Sequence, residues 1–255
     1  MAANRFGKGC VIVFGGSGGI GQCVAKSFGH AGSDVAVVYR SKRDVAEKVA
    51  ADIVHGGRKA TTHAADVTDA AQVNAAVHAA AEAHHGIHTV VWAAGPLVEQ
   101  VFIADCSAEL YKKSIDVEVH GFFNAVKATL PILKAGGGGS YVHLGSAGHV
   151  WFPQKDGLSV APKAANEALI KGIAKEEGKH NIRANSVLVG VIEAGMFLEL
   201  LKRGVFDQKW TDETQKLLCL KRWGKPEEIG SAAVFLATNG YVTGQQINVS
   251  GGFGI

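Results

Sequence analysis

The stretch 11–21, VIVFGGSGGIG, constrains what this chain can fold into more than any other. An apolar run able to form a buried strand passes directly into glycines at 15, 16, 18, 19 and 21, and an amphipathic segment, 22–29, follows. Strand, tight turn and helix start are therefore adjacent. Glycine accepts positive φ and lets another group approach the backbone closely, while the first turn of a helix offers free N–H groups and the positive end of its dipole. Such a turn predicts an anion site, best suited to a pyrophosphate. Its spacing, Gly15-xxx-Gly19-x-Gly21, departs from the G-x-G-x-x-G dinucleotide pattern, so on its own it also allows a loop that only packs a helix on a sheet.

Alternation continues beyond the turn. Strands are expected at 34–40, 60–66, 88–95, 140–144 and 182–188, with a short last one at 246–249. Between them, 41–55 carries Val45, Val49 and Ile53 at helical spacing, 69–85 is alanine-rich with Val73 and Val77 on one face, 107–134 reads as a long helix, and 226–238 opens with proline in its first turn. This pattern predicts an α/β fold: a three-layer, Rossmann-type, doubly wound parallel sheet in a single domain spanning 1–255. Periodicity weakens over 195–220, where Met196, Phe197, Leu198, Leu200, Leu201 and Val205 stand among charges, and this segment is expected to be a substrate lid.

Charge and cysteine usage exclude several classes. The net charge of +3 comes from dispersed charges of both signs without a basic stripe, which argues against nucleic acid, and no uncharged apolar run reaches membrane-spanning length. The start, MAANRFGKG, lacks a hydrophobic signal core, and Cys10, Cys23, Cys106 and Cys219 are scattered, so a cytoplasmic protein with reduced thiols and no metal site is expected. His84 and His85 read as a solvated helix end.

The end of the second strand speaks to a cofactor. NAD-selective sites place an acid there for the ribose hydroxyls, whereas a 2′-phosphate calls for cations. The sequence runs Tyr39-Arg40-Ser41-Lys42-Arg43, with no acid and three cations, which predicts NADP(H).

With these segments in order, the chain resembles the short-chain dehydrogenase/reductase superfamily, in particular its single-domain, ketoacyl-reductase-like members. The resemblance is carried by GGSGGIG, ADVTD at 65–69, WAAG at 92–95, LGSAG at 144–148, LSVAPKAANEAL at 158–169, IRANSVLVGVIEAGMF at 182–197 and the tail from RWGKPEEIG to VSGG. It implies that Gly15, Ser17, Gly19, Ile20 and Gly21 hold the pyrophosphate, that Arg40, Ser41 and Lys42 border the adenosine ribose, and that Asp66 and Val67 lie by the adenine. Ala93, Ala94 and Gly95 would line the cofactor groove, Lys163 would bind the nicotinamide ribose, and Gly190 and Ile192 would sit by the carboxamide. The substrate would be a small carbonyl compound or alcohol, with His149, Trp151, Phe152 and Met196 around it, and the assembly a homotetramer packed through 107–134, 158–180 and the C-terminal segment.

Catalysis is where the pattern breaks. The resemblance calls for a serine, a tyrosine thirteen positions later and a lysine four further on; here the series is Ser146, Ser159, Lys163. The four tyrosines, at 39, 111, 141 and 241, fall in other segments. Glu118 stands where an asparagine is usual, Pro162 where a serine is, and Ala194 and Phe14 each replace a threonine. A positioned general acid contributes roughly 10²- to 10⁴-fold, and a serine hydroxyl is a far weaker acid than a phenol. Ser146, Ser159, Lys163 and Glu118 are the candidate catalytic residues, with His149, Glu118 or water as substitutes for the missing phenol. Three readings follow: an NADP(H)-dependent oxidoreductase with an atypical or impaired proton donor, a non-redox enzyme such as a dehydratase, cyclase or isomerase, or a catalytically silent dinucleotide-binding subunit.

Overall fold

Apolar runs bounded by glycine or polar turns become strands buried on both faces, as Cys10–Phe14 (β1) and Ile87–Trp92 (β4) show by having every residue buried. The computed structural model describes residues 5–255, so the stretch read for a signal core lies partly outside the described residues. Asp34–Tyr39 (β2), Ala60–Ala64 (β3), Gly139–Ser146 (β5), Ile182–Val189 (β6) and Gln246–Val249 (β7) complete one seven-stranded sheet. Every pair is parallel, in the order β3-β2-β1-β4-β5-β6-β7. The order reverses between β1 and β4, and in open sheets of this kind a crevice opens there beyond the carboxyl ends of the strands.

Helices cover both faces. Gly19–His30 (α1), Arg43–His55 (α2) and Pro226–Thr238 (α9) pack on one side around Val11, Val13, Phe28, Val35 and Ile229. Ala70–His84 (α3), Gly121–Ala135 (α5) and Gly157–Glu177 (α6) cover the other, around Phe14, Trp92, Phe122 and Tyr141. The expected doubly wound sheet is thus present. Several boundaries differ from the sequence reading: α1 begins three residues earlier, at Gly19, and β4 ends at Trp92, so Ala93, Ala94 and Gly95 leave the sheet as connection.

Two elements depart further. The helix expected over 107–134 is split into Ala108–Ile115 (α4) and α5 by a π-helical turn, Asp116–His120. A π turn frees backbone groups from the regular ladder, and here the Glu118 carbonyl accepts from Asn166 Nδ2 at 2.9 Å. The segment 195–220, expected to be a lid, carries two helices, Gly195–Lys202 (α7) and Gln208–Lys216 (α8).

His84 corrects an expectation. Its side chain is buried rather than solvated, Nε2 lies 2.9 Å from Thr61 Oγ1, and burial pushes its pKa down to about 4. His85 takes the left-handed conformation (φ 60°) that ends α3. No group of three or more His, Cys, Asp or Glu suited to a metal occurs among the described residues, and no helix there is long and apolar enough to cross a membrane.

Candidate active site

A cavity of about 770 Å³ opens at the carboxyl edge of the sheet, at the β1/β4 reversal, between the glycine turn and the α7–α8 segment. Two helix N-termini converge on it. Gly18 caps α1 and Ala194 caps α7, and neither cap receives a side-chain hydrogen bond. By contrast, Asp69, Ser107 and Asp207 cap α3, α4 and α8 through their side chains. The two starts meet closely: a Cβ built on Gly19 would fall 2.2 Å from the Gly195 nitrogen. Gly15 adopts φ +77°, and a Cβ on Gly21 would lie 2.2 Å from the Gly15 carbonyl oxygen, so this turn admits only glycine at both positions. Uncapped N–H groups from two helices suit an anionic group such as a pyrophosphate.

Of the residues expected at a cofactor, Gly19, Ile20, Gly21, Lys42, Ala93, Ala94, Gly95, Lys163, Gly190 and Ile192 line this cavity. Gly15 and Ser17 belong to the same glycine turn but are outside the lining. Arg40 and Ser41 are exposed just past β2, and neither Arg40 nor Lys42 has an ion-pair partner among the described residues. Asp66 and Val67 follow β3 outside the cavity lining; the Asp66 carboxylate accepts from the Thr68 amide and hydroxyl, which hold it below the usual carboxylate range.

Ser146, Ser159, Lys163 and Glu118 all line the same cavity. Ser146 ends β5, and its Oγ accepts from the Gly148 amide at 3.1 Å, leaving the hydroxyl proton free to donate. Ser159 and Lys163 stand one turn apart on α6. Between them Pro162 lacks the N–H that would bond the Leu158 carbonyl, and the Ser114 hydroxyl of α4 donates to that carbonyl instead. Lys163 Nζ is paired with Glu118 Oε1, while Glu118 Oε2 accepts from Trp92 Nε1 at 3.2 Å. Both oxygens of this carboxylate, which is only 1% exposed, are therefore engaged. A second buried group lies behind: His143 Nδ1 is 2.8 Å from Glu167 Oε1, and Gln246 Nε2 donates to Glu167 Oε2.

No tyrosine lines the cavity. Tyr141 is buried with its hydroxyl 2.8 Å from Thr129 Oγ1, Tyr241 is fully exposed, and Tyr39 and Tyr111 belong to β2 and α4. Phe14, at the end of β1, packs its ring 5.7 Å from that of Trp92 in the core.

The expected substrate residues separate. Met196 lines the cavity, with Phe197, Phe206 and Trp210 from the same α7–α8 segment; the last two rings stack at 3.7 Å. His149, Trp151 and Phe152 do not line it, against expectation. His149 is exposed, and Trp151 turns toward a separate hollow with Leu217, Leu218 and Ile255, its ring 5.0 Å from that of Phe253. The C-terminal segment folds back beneath the 147–152 loop and captures that side chain, a contact invisible in local sequence.

Among the cavity residues that the sequence reading did not anticipate, two form a polar pair. Asp156 and Gln100 both line the cavity, and Gln100 Nε2 donates to Asp156 Oδ1 at 3.3 Å. Burial raises the Asp156 carboxyl above its ordinary value, against opposing pulls from Gln100 and Lys163. A sequence signal existed: an aspartate just ahead of the helix, three positions before Ser159.

Comparison with known proteins supports this fold. The family model described as Enoyl-(Acyl carrier protein) reductase matches residues 15–254. The L-rhamnose 1-dehydrogenase (NAD(P)(+)) of Sphingomonas sp. strain SKA58 is 31% identical over 245 residues, covering 95% of this chain and 94% of its own. The NADPH-dependent aldehyde reductase-like protein, chloroplastic, of Arabidopsis thaliana is 33% identical, covering 95% and 93%. Among solved structures, a short-chain type dehydrogenase/reductase from Mycobacterium ulcerans superposes with a TM-score of 0.89 at 27% identity, over 97% of this chain and 90% of that one.

Proposed function

The chain belongs to the short-chain dehydrogenase/reductase superfamily, and from that premise we propose that it is an NADP(H)-dependent oxidoreductase of the carbonyl reductase or alcohol dehydrogenase type, with an atypical proton donor. One observation carries the reading: a single cavity joins two uncapped helix N-termini, an ammonium at Lys163 and a free hydroxyl proton at Ser146. When bound, NADPH supplies a hydride. The amides of the glycine turn and of the α7 start hold the pyrophosphate. Lys163, steadied by Glu118, hydrogen-bonds the nicotinamide ribose, and Ser146 donates to the substrate oxygen. Ser159 fills part of the space that a phenol would take but is too weak an acid to replace it.

Preference for NADPH rests on Lys42, Arg40 and Ser41 after a strand that ends in Tyr39. The substrate is a small carbonyl compound or alcohol with an apolar body, which the Met196, Phe197 and Phe206 side chains suit. Exposed Phe123 on α5 and Tyr111 on α4 suit the helix pairing of a homotetramer.

The test is NADPH consumption by purified protein against a panel of ketones, beside Ser159→Tyr, with thermal shifts for NADPH and NADH. Turnover by the parent is expected, with a larger shift from NADPH that Lys42→Ala reduces. Absence of any shift removes the cofactor reading. Turnover only in Ser159→Tyr marks a lost activity, and none in either favours a non-redox or silent protein.

A further inference from the structure

The start of α6 carries an unspent carboxyl. Asp156 occupies the N-cap position, where aspartate ordinarily accepts a hydrogen bond from an amide in the first turn. Here it makes no such bond; only its backbone carbonyl accepts, from the Ser159 and Val160 amides at 3.1 and 2.9 Å. The side chain instead joins the cavity wall. Gln100 Nε2 reaches Oδ1, and Oδ2 has no partner among the described residues. A parallel bridge between Val101 and Asp156 fixes the two segments together, so Gln100 is held beside the carboxyl.

Position on the helix matters as much as freedom. Residues 156, 159 and 163 are related as i, i+3 and i+7, which puts Asp156, Ser159 and Lys163 on one face. Three residues advance a helix by about 4.5 Å, which is within the length of a phenol side chain, and Asp156 and Ser159 line the same cavity. Glu118 is a poor alternative because both its oxygens are committed to Lys163 and Trp92. His149 is exposed and outside the cavity.

We propose that Asp156 is the proton donor of this site, protonating the carbonyl oxygen from Oδ2 in place of the missing phenol. The inference rests on the oxidoreductase reading above. In reduction, a C–H bond forms between the hydride from the reduced nicotinamide and the carbonyl carbon, and the C=O π pair moves to oxygen. That oxygen takes the Asp156 proton, and the carboxylate left behind is reprotonated from water at the cavity mouth; oxidation of the alcohol is the reverse. A carboxyl can serve near neutral pH only if its pKa is raised, and burial acts in that direction at Asp156. The charged groups around the same cavity are Lys163 and Glu118 on one side and Lys42, Glu199 and Arg203 on the lid side, while Lys155 is turned over the Phe102 ring.

Two readouts test it. Infrared titration of the protein without cofactor, parent against Asp156→Asn, isolates one carboxyl band; its midpoint is expected above that of an ordinary aspartate, and an ordinary midpoint overturns the proposal. In ketone reduction, Asp156→Asn is expected to keep its thermal shift with NADPH and lose roughly 10²-fold or more in kcat. Gln100→Leu, which removes the bond favouring the ionised form, should move the high-pH limb of the kcat profile upward, which a merely structural role would not do. Parental kcat in Asp156→Asn, or an unmoved limb in Gln100→Leu, refutes the assignment while leaving the oxidoreductase reading standing. An absent NADPH shift in the parent refutes both.

Discussion

Replacing Glu118 by glutamine isolates the ion pair at the centre of the cavity. The Glu118 side chain is 1% exposed and that of Lys163 17% exposed. Breaking a buried pair by removing one partner costs about 3–5 kcal/mol, because the other charge stays desolvated. Two features reduce that figure: Lys163 reaches enough water to rehydrate in part, and a glutamine oxygen can still accept from Trp92 Nε1. The expected loss is therefore about 2–3 kcal/mol, a fall in Tm of roughly 5–10 °C at this chain length. Lys163→Met leaves a less accessible carboxylate unpaired and should cost about 3–5 kcal/mol. The double variant removes both charges, so it should fall short of the summed losses by about 2 kcal/mol. Urea unfolding at neutral pH followed by far-ultraviolet circular dichroism measures all four proteins. Additivity within about 0.5 kcal/mol would refute the reasoning, since residues that do not interact add to that precision.

Acid should destabilise the fold through two buried histidines. Burial lowers His84 and His88 to about 4, so the unfolded chain binds protons first: their contribution is fully present above about pH 6.5 and is lost as pH falls toward 4, with a ceiling on the order of 3 kcal/mol each. A urea midpoint that stays level between pH 7 and pH 5, or a slope unchanged in His88→Gln, contradicts this. Gly19→Ala should abolish stabilisation by NADPH, because its Cβ would fall 2.2 Å from the Gly195 nitrogen, where only backbone can move. A parental thermal shift in that variant would show that the glycine turn and the start of α7 separate on binding.

Local chemistry made much of the fold legible. Glycines at 15, 19 and 21 announce a strand, turn and helix start because their backbone geometry excludes side chains there, and apolar periodicity located the strands to within a few residues. The site was legible where it depends on spacing along one element, as with Ser159 and Lys163 on α6. It was illegible where distant segments meet. Gln100 meets Asp156 across 56 positions, with nothing in either local sequence to announce it, whereas an ion pair of Glu118 with Lys163 was already conceivable from the sequence. Trp151 resembled a pocket residue by sequence neighbourhood, yet its ring is taken by Phe253 more than a hundred positions later. His84 looked solvated at a helix end until Thr61 and Asp34 of neighbouring strands enclosed it.

On the proposed reading, Glu118 and Ser159 belong to one consistent electrostatic arrangement. Where a phenol donates the proton, an unpaired lysine beside it is useful, because positive charge lowers the phenol's pKa toward neutrality. A carboxyl donor needs the opposite: its pKa must be raised, and a bare ammonium nearby would ionise it. Here Glu118 neutralises Lys163, leaving burial as the dominant influence on Asp156 and the Lys163 charge as the weakest of the three named causes. With Asp156 as the proposed donor, Glu118 and Ser159 thus support each other. Glu118→Gln should then unmask the ammonium and lower the Asp156 midpoint in the infrared titration, carrying the high-pH limb of ketone reduction down with it. If that midpoint holds still while the ion pair is lost, the two substitutions are independent, and Glu118 serves only to place the lysine.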